Sequence, residues 1–177
     1  MAETNSFIRP DTLWRSLGLR AQQTVVHLGC GAGFYLIAAA KIVGKNGKVI
    51  GVDVRPDILA EVENKARQHG VVIHTMRANV ENTPGSAIPD KSVDWVLVAN
   101  ILHQSDPNKI LAEAKRIVAA NGHVAVVEWN TSATPFGPPI EKRRHDNEMK
   151  EIAESLGFTQ VKKFEPSPYH FGLIFAP

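Results

Sequence analysis

Five short apolar runs, separated by segments of helix or loop length, set the strongest limit on what this chain can become. They read "TVVHL" (24–28), "KVIGVD" (48–53), "VVIHTM" (71–76), "VDWVLVAN" (93–100) and "HVAVVEW" (123–129). Each is nearly continuous in apolar character, as strands covered on both faces are. The segments between them carry helix punctuation. In "RPDILAEVENKARQHG", Pro56 suits a first helical position, Ile58, Leu59, Val62 and Ala66 form a stripe, and Gly70 is a stop. In "SDPNKILAEAKRIVAANG", Ser105 or Asp106 caps and Pro107 starts the helix. Ile110, Leu111, Ala114, Ile117 and Val118 make its apolar face, and Gly122 is read as its end. Alternating strands and helices of these lengths imply a parallel sheet with right-handed crossovers, a doubly wound α/β domain.

The end of the chain follows another pattern. "TSATPFGPPIEKRRH" (131–145) is rich in proline and small polar residues and reads as a surface loop. A helix over about Asp146–Leu156 ends at Gly157. The strand candidates "FTQVKKFE" and "YHFGLIF" follow, separated only by "PSP". So short a gap suits an antiparallel pair rather than a βαβ crossover. The expected fold is a single Rossmann-like doubly wound seven-stranded sheet, mostly parallel, with an antiparallel C-terminal strand pair.

The first strand runs into "GCGAG", Gly29 to Gly33, and then an Ala-rich helix. Glycine permits the positive φ values and close backbone approach that a ligand-binding turn needs. In an open α/β sheet such a ligand sits beyond the carboxyl ends of the strands. The spacing is not that of a dinucleotide fingerprint, because Phe34 stands where a third glycine would come. Nor is it a phosphate loop, because no G-K-[ST] follows. Asp53 ends the second strand, where a carboxylate can accept both hydroxyls of a ribose; the alternative is an aspartate at the start of a helix.

Composition narrows the classes further. The 177 residues fit one domain, and the net charge of +2 gives no strong pull toward nucleic acid or an anionic membrane. One cysteine makes no internal disulfide, which suits a reducing compartment. No apolar run approaches the ~20 residues of a membrane span. The chain reads as soluble and cytoplasmic. The seven histidines include no short ligand pair, so no metal site is expected. Lys142, Arg143 and Arg144 read as a solvated helix start, offset by Glu141 and Asp146.

At this point the motifs resemble those of the class I S-adenosylmethionine-dependent methyltransferases, in the small-molecule branch typified by quinone-biosynthesis enzymes. "VVHLGCGAG" resembles the family's first motif and "VIGVDVRPDIL" its second-strand motif. "ANVENTP" resembles the adenine segment, "DKSVDWVLVANILHQSDP" the fourth-strand block, and "LAEAKRIVAANGHVAVVEWN" the helix and fifth strand after it. The resemblance runs from about residue 10 to 130 and implies one methyltransferase domain over 1–177. That domain has an N-terminal arm or helix (1–22), a cofactor-binding core (23–130), and a final loop, helix and strand pair (131–177).

The resemblance also implies residue roles. Gly29, Cys30, Gly31 and Gly33 would form the cradle for S-adenosyl-L-methionine, with S-adenosyl-L-homocysteine as product. Cys30 satisfies the need for a small side chain there. Asp53 would bind the ribose and Val54 pack beside the adenine. Asn79 and Val80 would flank the base, and Asn100 would lie near the methyl group. Leu102 and His103 would open toward a small organic acceptor. The residues at the sheet's carboxyl edge add further readings: His103 is the candidate base or else a helix-approach residue with no catalytic role, Glu128 orders a neighbouring loop or a substrate group, and Tyr169 and His170 form a strand start or point into the same mouth. "ANILHQ" lacks the Asn/Asp-Pro-Pro-aromatic motif of amino-group methylases, which disfavours DNA bases and glutamine as acceptors. The acceptor site would be open, or closed by the 131–145 loop or by a second subunit in a homodimer.

Two positions depart from the family pattern. Its usual acid before the glycine turn is His27 here, and its usual aspartate in the adenine segment is Asn79. Asn79 still accepts a hydrogen bond, without charge assistance. A protonated His27 would repel a cofactor bearing sulfonium and ammonium groups, so affinity is expected to fall as pH drops below the histidine's pKa. His27 is otherwise read as a neutral histidine holding the loop through a backbone hydrogen bond. These departures leave open a methyltransferase-fold protein of weak or no catalysis that serves as a binding or partner subunit.

Overall fold

The computed structural model describes residues 8–82 and 84–177. Residues 1–7 of the N-terminal arm, and Thr83 in the adenine segment, lie outside the described residues. The elements run α1 (Pro10–Leu17), β1 (Thr24–Leu28), α2 (Phe34–Val43), β2 (Lys48–Asp53), α3 (Pro56–Gln68), β3 (His74–Arg77) and β4 (Val93–Ala99). Then come α4 (Pro107–Ile117), β5 (Val118–Trp129), α5 (Asp146–Ser155), β6 (Thr159–Ser167) and β7 (His170–Ala176). They build one seven-stranded sheet in the order β3-β2-β1-β4-β5-β7-β6. The first five strands pair in parallel, while β7 runs antiparallel to both β5 and β6. The strand order reverses between β1 and β4, the place where an open α/β sheet leaves a crevice for a ligand.

Both faces of the central strands are buried, which is why they read as unbroken apolar runs. Along β1, Val25 packs with Trp14, Leu36 and Val62 on the α1–α2–α3 side. Val26 packs with Ile110, Ile117 and Met149 on the α4–α5 side. Proline at the first position starts α1, α3 and α4, and the Asp106 side chain caps α4 by accepting from Asn108 N.

Two expected boundaries are corrected. The third strand is His74–Arg77 rather than 71–76. Among the described residues it forms the edge of the sheet and pairs with β2 alone, so it lacks the two-sided cover that its apolar start suggests; Val72 is left exposed. The fourth helix ends at Ile117, not at Gly122. Its last carbonyls are taken from outside the helix, Arg116 O by Lys91 N and Ile117 O by Ser92 N. This releases Val118 to pair with Val93 as the start of β5. Gly122 lies within that bulged strand start, where a Cβ would come within 2.7 Å of Val93 O. The glycine marks a close backbone approach, not a helix stop.

Candidate functional site

The turn after β1 is held from three sides. Gly29 N and Cys30 N both donate to Val52 O, at 2.8 and 3.0 Å, which bends the chain over the end of β2. Gly31 N donates to Asp53 Oδ2 at 3.1 Å, and the other oxygen of that carboxylate accepts from Arg55 N at 3.0 Å. From α3, Lys65 Nζ donates to Ala32 O at 2.9 Å and lies over the Phe34 ring. The glycines serve different ends. At Gly29 the left-handed backbone (φ +70°) favours glycine, and a Cβ would also press on the end of the Ile101 side chain, 2.2 Å from Cδ1. At Gly31 (φ +49°) nothing lies within 4 Å, so that face of the turn is open to a ligand.

A cleft of about 570 Å³ opens there. It is lined by all ten residues selected from sequence for a cofactor: His27, Gly29, Cys30, Gly31, Gly33, Asp53, Val54, Asn79, Val80 and Asn100. It also takes in Tyr35, Glu81, Gln104 and Ser105, which the motifs did not single out. Their only sequence signal is adjacency to residues that did stand out. Asn79 Oδ1 accepts from Glu81 N at 3.0 Å, and Glu81 Oε1 accepts from Asp106 N at 2.7 Å. The segment after β3 is thereby tied to the start of α4. Asn100 has a left-handed backbone (φ +54°), fixed by its N–H to Val127 O at 2.9 Å. Asparagine tolerates this conformation better than most residues other than glycine.

His27 does not make the backbone hydrogen bond expected of it. Its side chain is 2% exposed, and neither ring nitrogen has a hydrogen-bond partner among the described residues. It meets Tyr35 edge to face, and the loop is held by Asp53 instead. Burial lowers its pKa to about 3. The expected fall in ligand affinity is thus displaced below ordinary working pH, and binding should be level with respect to His27 between about pH 5 and pH 8.

Stability behaves differently. The unfolded chain takes up a proton below the ordinary value of 6.5 while the folded chain does not. Unfolding free energy should therefore decline from about pH 6.5 downward, by up to about 1.4 kcal/mol per pH unit for this one group. Urea titrations of the wild type and His27→Asn at pH 7 and pH 5 measure the difference. Equal pH dependence in the two proteins would refute it. Cys30 is 4% exposed, and burial, helped by the Asp53 charge, pushes its thiol up to about 12, so it packs as an unreactive side chain.

Beyond β4 lies the second half of the site. Glu128, fully buried at the end of β5, accepts from Leu102 N (2.9 Å) and Trp129 N (2.9 Å), and its Oε1 lies 3.0 Å from His103 Nδ1. It holds the short helical turn Leu102–Gln104 against the sheet. His103 is not among the residues lining the cleft; its neighbours Gln104 and Ser105 are. His170 begins β7, and Tyr169 O accepts from Asn130 N at the end of the β5–β7 pair.

Arg143 corrects the reading of the basic cluster as a solvated helix start. It is 6% exposed and donates to the carbonyls of Asn130, Ser132, Phe136 and Pro138. One guanidinium thus organises the proline-rich loop from within, a use suited to its five donors in a planar fork. Among the described residues no cluster of metal-ligating side chains occurs, and no helix is long and apolar enough to cross a membrane.

A doubly wound sheet with a glycine turn, an acid ending β2 and a cleft at the switch point defines an α/β domain built for a nucleoside-bearing ligand. The chain belongs to the methyltransferase-domain family, whose model matches residues 19–167. The ubiquinone/menaquinone biosynthesis C-methyltransferase UbiE of Vibrio cholerae serotype O1 is 30% identical over 128 residues, which cover 71% of this chain and 47% of that protein. Its counterpart from Escherichia coli O1:K1 is 28% identical over 128 residues, 71% of this chain and 49% of that one. The chain spans about half the length of the curated relatives it matches. A SAM dependent methyltransferase from Aquifex aeolicus superposes with a TM-score of 0.89 at 28% identity, covering 99% of this chain and 93% of that one.

Proposed function

We propose that this chain is an S-adenosylmethionine-dependent methyltransferase acting on a small organic acceptor, with carbon as the accepting atom. The observation that carries the cofactor reading is the pairing of Asp53 with Gly31. The carboxylate anchors the turn beside the position where no protein atom approaches, and each oxygen keeps a lone pair for a ribose hydroxyl. Unpartnered buried atoms on His27 and Asn100 in the same cleft also fit a polar ligand. The names of the matched relatives support carbon as the acceptor.

In this reading Asp53 holds the ribose, Val54 and Val80 pack on the base, and Asn79 Oδ1 accepts from the adenine amino group. When bound, the cofactor supplies a methyl group already activated on a sulfonium. The protein's task is then alignment and exclusion of water. Glu128 directs Nδ1–H of His103 toward itself, which leaves Nε2 as the basic nitrogen. In this reading Nε2 would take a proton from an acceptor entering from the β4 side next to Gln104; His103 itself lies behind the residues that line the cleft.

A thermal-shift titration tests the cofactor reading. S-adenosylhomocysteine at about a hundred times its Kd should raise Tm by about 5–10 °C, and NAD should not. Absence of any shift with both the cofactor and its demethylated product would sink it.

A further inference from the structure

The turn that carries His103, Leu102–Gln104, is three residues long, and among the described residues no side chain caps its start. Its own backbone closes through Gln104 N to Ile101 O at 3.1 Å. So short a helical turn is poorly held by itself, and its geometry is set by partners from elsewhere. Glu128, on β5, accepts from Leu102 N at 2.9 Å and meets His103 Nδ1 at 3.0 Å. On the carbonyl side, Arg144 Nε donates to Leu102 O at 3.3 Å across 42 residues of chain. That carbonyl belongs to the planar peptide leading into His103, so fixing it fixes the direction in which the imidazole leaves the backbone.

Arg144 is itself aimed. Its Nη1 donates at 2.9 Å to Oε1 of Glu148 in the first turn of α5, and its side chain is 34% exposed. The guanidinium is a planar fork, so a carboxylate on one nitrogen sets the plane in which another reaches the carbonyl; a lysine ammonium has no such plane. The neighbouring Arg143 has the separate task of closing the 131–145 loop on its own carbonyls. The two adjacent arginines therefore tie the loop and the turn bearing His103 to one short stretch of backbone. A partly exposed ion pair contributes little to stability, so Arg144 acts on the turn more than on the fold.

We propose that Arg144 is a positioning residue for methyl transfer. Through the Leu102–His103 peptide it keeps the imidazole against Glu128, with the proton on Nδ1 and Nε2 left basic. The inference rests on the reading of His103 as the base, given above. It adds a residue that lies outside the lining of the cleft and acts on the base through the backbone.

Nitrogen-15 NMR of the histidine rings in the full chain tests it without any acceptor, since the two neutral tautomers differ in which ring nitrogen carries the proton. His103 is assigned by the signal lost in His103→Gln. At about pH 8, where an ordinary imidazole is neutral, the wild type should hold His103 almost wholly as the Nδ1–H form. Arg144→Met should raise the Nε2–H share from about 5% or less to on the order of a third. Arg144→Lys should fall between the two, and Tm should move by no more than about 2 °C in either variant. A folded Arg144→Met with wild-type tautomer shares overturns the proposal. A fall in Tm with those shares unchanged does the same, and leaves Arg144 a structural contact. If Arg144→Met does not fold, Glu148→Ala asks the same question by releasing the guanidinium. It should raise the Nε2–H share by a smaller step, and an unchanged His103 there overturns the proposal. A wild type that is already mixed, or mainly Nε2–H, defeats the reading of His103 as the base and takes this inference with it.

Discussion

Glu113→Ala is expected to lower the unfolding free energy by about 3–5 kcal/mol, a large share of the stability of a domain this size. Glu113 sits on α4 with 3% exposure, and both its oxygens are fully engaged. Oε1 accepts from Ser86 Oγ and from Arg116, and Oε2 accepts from Gly85 N and from Arg116 Nε, a two-pronged pair. Arg116 also donates to the carbonyls of Ser86 and Ile88. Removing the carboxylate strands the Gly85 and Ser86 donors and loosens the segment that places Val80 against the ligand cleft.

The effect has a pH signature. Burial opposes ionisation of Glu113, but the hydrogen bonds from Arg116, Ser86 and Gly85 outweigh it and hold the carboxyl below its usual range. Its contribution is therefore complete above about 4.5 and is lost as pH falls through the lower folded value. Urea unfolding at pH 7 and pH 3 should show a gap between wild type and variant that shrinks in acid. A loss below about 1 kcal/mol at pH 7 would mean the network contributes no more than a surface pair.

What the sequence made legible follows from which forces act locally. Proline at the first helical position, the Asp106 cap and the glycine-spaced turn are fixed by the dihedral and hydrogen-bond needs of neighbouring residues, and they stood out as such. The ten cleft residues were named mostly through the family resemblance; the fold explains why they meet, since an open α/β sheet gathers the ends of adjacent strands at one edge.

The misreadings have a common cause in partners remote along the chain. Gly122 looked like a helix stop because the carbonyl it crowds belongs to Val93, on another strand. Arg143 looked solvated because its four carbonyl partners come from a loop with no periodicity to mark it. Val72 looked buried because edge position is a property of sheet order, not of the run of apolar residues that contains it. Glu113 drew no notice at all, since an acid three residues before an arginine on a helix is ordinarily a solvated pair.

Asp53→Ala should weaken binding of S-adenosylhomocysteine by at least about a hundredfold, since each hydrogen bond from a ribose hydroxyl to an ionised acceptor contributes about 1.5–3 kcal/mol. Asp53→Asn keeps one acceptor oxygen and the approximate shape, so its loss should be nearer tenfold. The same carboxylate also receives Gly31 N and Arg55 N, so part of any loss could come from a slackened turn rather than a missing ribose contact. A ligand series separates the two. If Asp53 meets the ribose, the wild type should discriminate strongly against the 2′-deoxy analogue of S-adenosylhomocysteine, and Asp53→Ala should bind the two ligands nearly alike. If the carboxylate serves only the turn, the variant will weaken both ligands by the same factor and leave that discrimination intact. Unchanged affinity in Asp53→Ala would remove the aspartate from recognition altogether and confine it to holding Gly31 N and Arg55 N.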